Sequence, residues 1–420
     1  MKVLLKQIWN ERRSNLWIWI ELLIVSVVLW FVVDTSYVEL HTYFEPRGFD
    51  ISNTYLISVG TKNPQSPEYI PPSTRTVKAG SDLLEIVNRL KRYPDIEAVS
   101  LSRNSYPYNG SNSGSYVRVD TFEQGSRLYR ATPDFLRVFR YQGANGETPE
   151  QLDTLLKQGV LIVGENLLTR KYGLTGKDIL GHSFYLGDDT IKAWPVVAVT
   201  KPVRFSDFES AYDCYYIMQL YDENWPENVT EDDVRSLELC VRVHDDSATG
   251  FIDRFLEVSD DQFTVGNLII EDVCSMEDIR QLYQLDDTNK FRDQSIGIGF
   301  LLFNIFLGLL GTFWFRTQQR CSEVVLHIIC GSTHREIFMR FINEGLILLI
   351  LATVVALFID FNIAYAELTP SMYGSTLTVG RFLITTLITF LLMALMIVIG
   401  IWFPARQAMK IQPAEALRDE

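Results

Sequence analysis

Residues 382–403 read FLITTLITFLLMALMIVIGIWF, an apolar run without a single charge. At about 1.5 Å of rise per residue, a helix of this length crosses the roughly 30 Å hydrocarbon core of a bilayer. Working outward, three more stretches have the same character: Leu16–Val33, Ser295–Phe315 and Phe341–Ile359. All four exceed the roughly 10–14 residues typical of a buried helix in a soluble protein. Trp17, Trp30, Trp314 and Trp402 lie near their ends, where an amphipathic ring suits the membrane interface. The first run is longer than the roughly 7–15 apolar residues of a signal peptide, and no small-x-small cleavage site follows Val33. It reads as a retained helix.

Lys and Arg near helix ends set orientation. The amino terminus carries Lys2, Lys6, Arg12 and Arg13; the 316–340 loop carries Arg316, Arg320, Arg335 and Arg340; the tail carries Arg406, Lys410 and Arg418. The loop between the third and fourth runs has only Arg381, at its end. Both termini and the 316–340 loop are therefore expected in the cytoplasm, and residues 34–294 outside. That outer block holds 26 basic and 42 acidic residues, a balance unsuited to nucleic acid or anionic lipid. Cys321 and Cys330 fall on the cytoplasmic side. Cys214, Cys240 and Cys274 fall outside, an odd number that permits one disulfide without choosing it. Among the outer cysteines, Cys240 with His244 is the only close Cys/His pair, which is too little for a zinc site.

Within residues 1–15, Leu4, Leu5, Ile8 and Trp9 form an apolar stripe opposite Lys2, Lys6 and Arg13, the pattern of an interfacial helix. No Gly or Pro occurs between Val33 and Pro46, so the first helix is expected to continue to about Phe44. Ser275 is a candidate cap, with Asp278 three residues on, for a helix running from Met276 unbroken into the second span. Between these two helical stalks the pattern is α+β. Strands are expected at Thr54–Val59, Ile96–Leu101, Val117–Thr121, Val160–Val163, Pro195–Thr200, Tyr215–Gln219, Leu237–Val243 and Phe263–Ile270. Helices are expected from Ser81, as cap, to Arg92, and at Pro133–Arg140, Glu165–Tyr172 and Ser247–Glu257.

No phosphate-binding P-loop is present: Gly176-Lys177 is followed by Asp178, and position 171 is Lys. No Ser/His/Asp or paired-carboxylate arrangement can be read from spacing. Catalytic and metal sites are expected to be none. Glu21 and Asn304 lie inside spans, and Glu344 lies near the cytoplasmic end of the third. A carboxylate in the membrane needs a partner or access to the interface, and Glu21, about five residues from the cytoplasmic end, is expected to reach the interface.

The cytoplasmic loop, RTQQRCSEVVLHIICGSTHREIFMR at 316–340, is basic with an apolar centre and a Gly-Ser-Thr break at 331–333. An apolar centre in an aqueous loop calls for a partner surface. The tail reads PARQAMKIQPAEALRDE. These stretches resemble the FtsX-like permease family through Arg320, Glu323, Val324, Gly331, Ser332, Ile337 and Glu344. The tail matches at Pro404, Ala405, Ala408, Ile411, Pro413, Glu415, Ala416, Leu417 and Arg418. The outer block resembles the MacB-type periplasmic domain at Arg130–Phe135, Val160–Gly173, Gly181 and Pro195–Val199.

The resemblance implies the permease subunit of a MacB/FtsX-type ABC transporter in a bacterial inner membrane, with a periplasmic domain and no fused ATPase. It implies that the chain is not itself an enzyme and holds no cofactor, with ATP and magnesium bound by a separate ABC ATPase dimer in the cytoplasm. That dimer would be engaged through Arg320, Glu323, Val324, Ile328, Gly331, Ser332 and Arg335. Further implied partners are a second or sister permease, membrane lipid, and, for efflux of a peptide, antibiotic or lipoprotein, a periplasmic adaptor and an outer-membrane channel. The alternative is an FtsX-like regulator of cell-wall hydrolases. The expected organisation is an α-helical membrane protein with four transmembrane helices plus an α+β extracytoplasmic domain on two helical stalks. Its segments are 1–15 (interfacial helix), 16–33, 34–294 (outer domain), 295–315, 316–340 (coupling loop), 341–359, 360–381 (short outer loop), 382–403 and 404–420 (tail).

Overall fold

The computed structural model describes residues 12–71, 73–110, 113–119, 122–167, 172–187, 189, 191–204, 206–209, 215–220, 225–320, 331–372 and 375–408. The expected interfacial helix lies outside these residues except for 12–15, which open the first long helix. The chain divides into two compact units, Tyr43–Asp287 and the remainder.

The second of these contains four long helices: α1 (Arg12–Phe44), α6 (Leu285–Gln319), α7 (His334–Tyr365) and α8 (Val379–Ala408). All four are long and apolar enough to cross a membrane. Their shared core is built from Leu22, Leu29, Phe313, Leu349, Ala352, Met393 and Ile397. Val354, Phe358, Leu387 and Leu391 point away from it and are exposed, as lipid-facing side chains are. Gly345 lets α7 and α8 approach closely, since a Cβ there would come within 2.9 Å of Ile397.

The Tyr43–Asp287 unit begins with a four-stranded antiparallel sheet in the order β10-β1-β9-β2: β1 is Thr54–Thr61, β2 Ile96–Arg103, β9 Glu238–Val243 and β10 Leu268–Ser275. Helix α2 (Ala79–Leu90) connects β1 to β2, and α4 (Phe251–Phe263) connects β9 to β10. This is the split β-α-β arrangement of ferredoxin-like folds. Both helices cover the same sheet face, burying Ile57, Leu83, Ile86, Val99, Val241, Phe255 and Phe263. Between β2 and β9 the chain inserts β3 (Gly114–Val119), β4 (Phe122–Ala131), β5 (Leu161–Gly164), β6 (Ser183–Leu186), β7 (Trp194–Thr200) and β8 (Tyr215–Gln219). Because β4 pairs with β8 as well as β3, the order β4-β3-β6-β7-β5-β8 closes into a ring. Val117, Leu128, Leu161, Val163, Phe184 and Val196 fill one core associated with it.

Several expectations are corrected. Helix α2 starts at Ala79 with Lys78 at its cap, so Ser81 lies in the first turn and does not cap it. The early start brings Gly80 against Pro226, where a Cβ would sit 2.4 Å from the Pro226 carbonyl oxygen. Phe263 ends α4 and does not open a strand: Phe251, Phe255 and Phe263 share one buried helix face, with ring centroids 5.4 and 5.0 Å apart in sequence. The expected Val117–Thr121 strand is β3, which begins earlier, at Gly114, while 120 and 121 lie outside the described residues. Helix α3 (Pro149–Leu156) went unread, although Thr148 and Gln151 form a capping box with Pro149 in the first turn.

The expected second stalk is also corrected. Ser275 caps α5 (Met276–Tyr283), accepting from the Asp278 N–H at 3.1 Å. The helix then breaks at Gln284 (φ −94°, ψ 9°), and α6 begins afresh at Leu285. The first connection is unbroken, α1 reaching Phe44 as expected.

Candidate functional site

The polar groups of the long helices gather at two levels. At the expected cytoplasmic end, Glu344 of α7 is 4% exposed and receives two arginines from the end of α6. Arg320 Nη1 donates to Glu344 Oε2 at 2.8 Å, and Arg316 donates to Glu344 and to Asn15 of α1. One carboxylate thus ties three helices, and the pairing removes the cost of burying it. Gly331 turns the chain with φ +92°, and Thr333 then caps α7 in a reciprocal box with Glu336. The Gly-Ser-Thr break is therefore a turn and a helix start. Gly331 and Arg335 are exposed, Ser332 is half-buried, and Arg320 is buried in the bundle. Of the expected coupling residues, Arg320 consequently anchors the loop from inside, while Gly331 and Arg335 face outward. Glu323, Val324 and Ile328 lie outside the described residues. So do Pro413, Glu415, Leu417 and Arg418, whereas Pro404, Ala405 and Ala408 fall in the last turns of α8.

At the opposite level, Arg381 of α8 and Asp34 of α1 form a two-point ion pair, Nε donating to Oδ1 at 2.8 Å and Nη2 to Oδ2. Both side chains are 2% exposed. Trp30 Nε1 donates to Thr385 Oγ1 at 3.1 Å one turn away, and Asp360 of α7 is also buried. Sequence reading took Arg381 only as an orientation marker and missed this pair. Glu21 meets another helix: Thr312 Oγ1 of α6 donates to its Oε1 at 2.8 Å. Asn304 is met within its own helix, donating to the Phe300 carbonyl at 2.7 Å.

In the other unit, Cys240 and Cys274 are both free and both lie opposite Leu56, on the two flanks of β1. Two strand spacings, about 9.6 Å, separate them. A disulfide needs Cα atoms within about 7 Å, so these two do not pair. Cys214 lies outside the described residues.

Asp153 of α3 is 3% exposed and accepts the Leu136 and Arg137 N–H groups at 3.2 Å. Burial pushes its carboxyl up to about 8, Asp134 adds to the rise, and the two N–H bonds oppose it. A raised carboxyl favours the protonated folded state, so its contribution is full below the ordinary carboxylate range and fades as pH climbs towards 8. The Asp153→Asn amide can accept only one of the two N–H groups, so the variant is expected to melt below the wild type near pH 4.5 and to gain on it as pH rises to 8. Parallel melting curves across that range contradict this assignment.

Residues 295–413 match the FtsX-like permease C-terminal domain family. The matched permease segment contains α7, the described part of α8, most of α6, and the loop that Arg316 and Arg320 anchor. No curated protein matches the chain. Among solved structures, the chain is similar to a domain of a putative permease protein from Porphyromonas gingivalis, at 16% identity and TM-score 0.34, over 54% of this chain and 90% of that one. It is similar to the periplasmic region of MacB from Actinobacillus actinomycetemcomitans, at 13% identity and TM-score 0.33, over 58% and 97% of the two chains. A third similarity is to the extracellular domain of the noncanonic ABC-type transporter YknZ from Gram-positive bacteria, at 13% identity and TM-score 0.30, over 52% and 100%.

Proposed function

We propose that the chain is the membrane subunit of a MacB/FtsX-type ABC transporter, working with a separate cytoplasmic ATPase to move its Tyr43–Asp287 unit outside the membrane. The observation that carries the reading is the FtsX-like match over residues 295–413. The basic 316–340 loop is the surface offered to the ATPase, and the positive-inside distribution of Lys and Arg supports both termini being cytoplasmic. The outer unit is the part that acts on cargo such as a peptide, an antibiotic or a lipoprotein, with a second permease completing the assembly.

In this reading α1 and α6 carry displacement, because a helix is stiff along its axis where a flexible linker is not. A proline inside a helix removes a backbone hydrogen bond and clashes with the preceding turn, at about 3 kcal/mol. Asn289→Pro with Asp293→Pro, both inside α6, is expected to leave ATPase binding and basal ATP hydrolysis intact while abolishing ATP-dependent export from cells. Asn289→Ala with Asp293→Ala is the control: it changes the same positions of α6 and keeps both backbone N–H groups. Full export by the double-proline chain contradicts transmission through α6.

A further inference from the structure

The break at Gln284 coincides with contacts to a distant loop. Asp207, 2% exposed, lies beyond β7. Arg47, three residues past the end of α1, donates to it through Nε at 2.9 Å and Nη2 at 3.1 Å. Arg280 of α5 donates through Nη1 at 2.6 Å. Arg204 Nη1 donates to the Asp207 carbonyl at 3.3 Å, and its Nη2 lies 3.8 Å from the carboxylate. The Gln284 amide, oriented to satisfy both its ends, donates to Asp207 Oδ2 at 3.1 Å and accepts the Asp207 N–H at 2.9 Å.

These contacts all lie within the Tyr43–Asp287 unit, and they join the two places where its chain begins and ends. Four donors reach this carboxylate, Arg47 Nε at Oδ1 and Arg47 Nη2, Arg280 and Gln284 at Oδ2, so both oxygens are engaged. Charge-assisted bonds shielded from water are stronger and more directional than exposed ones. Arg280 is further fixed by Glu277, whose Oε2 accepts from its Nε at 3.0 Å. A one-residue break that would otherwise be a hinge is therefore held by the same atom group that holds the segment following α1.

We infer that Asp207 is a pin that makes the two chain ends of the outer unit move as one, so that displacement arriving at either is shared and not absorbed at Gln284. The inference rests on the transmission role proposed above, but its test does not. In a full-length chain with its five native cysteines replaced by serine, spin labels are placed at Phe44→Cys and Leu285→Cys, both exposed. Their distance distribution is measured in lipid nanodiscs without nucleotide.

A narrow single distribution is expected. Asp207→Ala should broaden it at least about twofold by admitting further conformers. Arg47→Gln, which releases one end and leaves Asp207 bound to Arg280, should broaden it likewise while the chain keeps a single cooperative melting transition, separating loss of the pin from loss of the fold. An unchanged distribution in both variants overturns the inference. If that result accompanies export loss in the Asn289→Pro and Asp293→Pro chain, the pin alone fails. Broadening accompanied by full export in that chain upholds the pin and removes the transmission reading.

Discussion

Arg381→Leu is expected to destabilise the protein strongly. The substitution keeps an apolar volume but leaves Asp34 ionisable, buried and without the guanidinium that now occupies both its oxygens. Breaking a buried pair from one side costs about 3–5 kcal/mol, because the stranded Asp34 side chain is only 2% exposed. The melting temperature in detergent, followed by size-exclusion chromatography of heated samples, should fall by roughly 10 °C. Replacing the pair itself is a different experiment, because a buried ion pair exchanged for apolar side chains is often neutral or stabilising. Asp34→Leu with Arg381→Leu should therefore recover most of the loss. If Arg381→Leu melts with the wild type, or if the double variant is worse than the single, the pair does not carry this energy.

The contrast between these two residues and their apolar surroundings shows what could be read from sequence. Residues 382–403 admit one reading because an uninterrupted apolar run fixes both helix and environment, and α8 indeed covers them. β1, β2, β7, β8 and β9 were legible for the matching reason of β-branched and aromatic runs at strand length. β4, FEQGSRLYRA, was not. Its two halves pair with different neighbours, its Gly125 interrupts the run, and its alternation is therefore not that of one sheet face. Phe263 was given to a strand because local sequence does not say which face its ring will join.

The tertiary polar contacts were the least legible. Asp286, Asp287 and Thr288 are poor helix formers and mark a soft point beside Gln284 without placing the break; the break itself accompanies the contacts of Gln284 with Asp207. Arg381 and Arg320 were both read as charges, the first as a topological marker and the second as part of a docking surface. Each is buried against a carboxylate on another helix. A basic residue beside an apolar run carries the same sequence signal whether it turns outward to a partner or inward to a membrane-embedded acid. Gly331 was the exception, since the turn it makes before the Thr333 cap is written locally.

The central claim is that the 316–340 loop binds a separate ABC ATPase. Its apolar centre, Val324 and Ile328, stands between an inward anchor at Arg320 and an outward Arg335. Burying an unpaired carboxylate in such an interface costs several kcal/mol, and each 1.4 kcal/mol is about tenfold in affinity. The direct measurement is quantitative co-purification from native membranes using the tagged full-length chain. The wild type is expected to bring down an ABC ATPase in near-stoichiometric amount, and Val324→Asp with Ile328→Asp to lose at least about a hundredfold of it while the chain itself stays folded. Equal recovery of the ATPase by both chains, or none by the wild type, contradicts the claim.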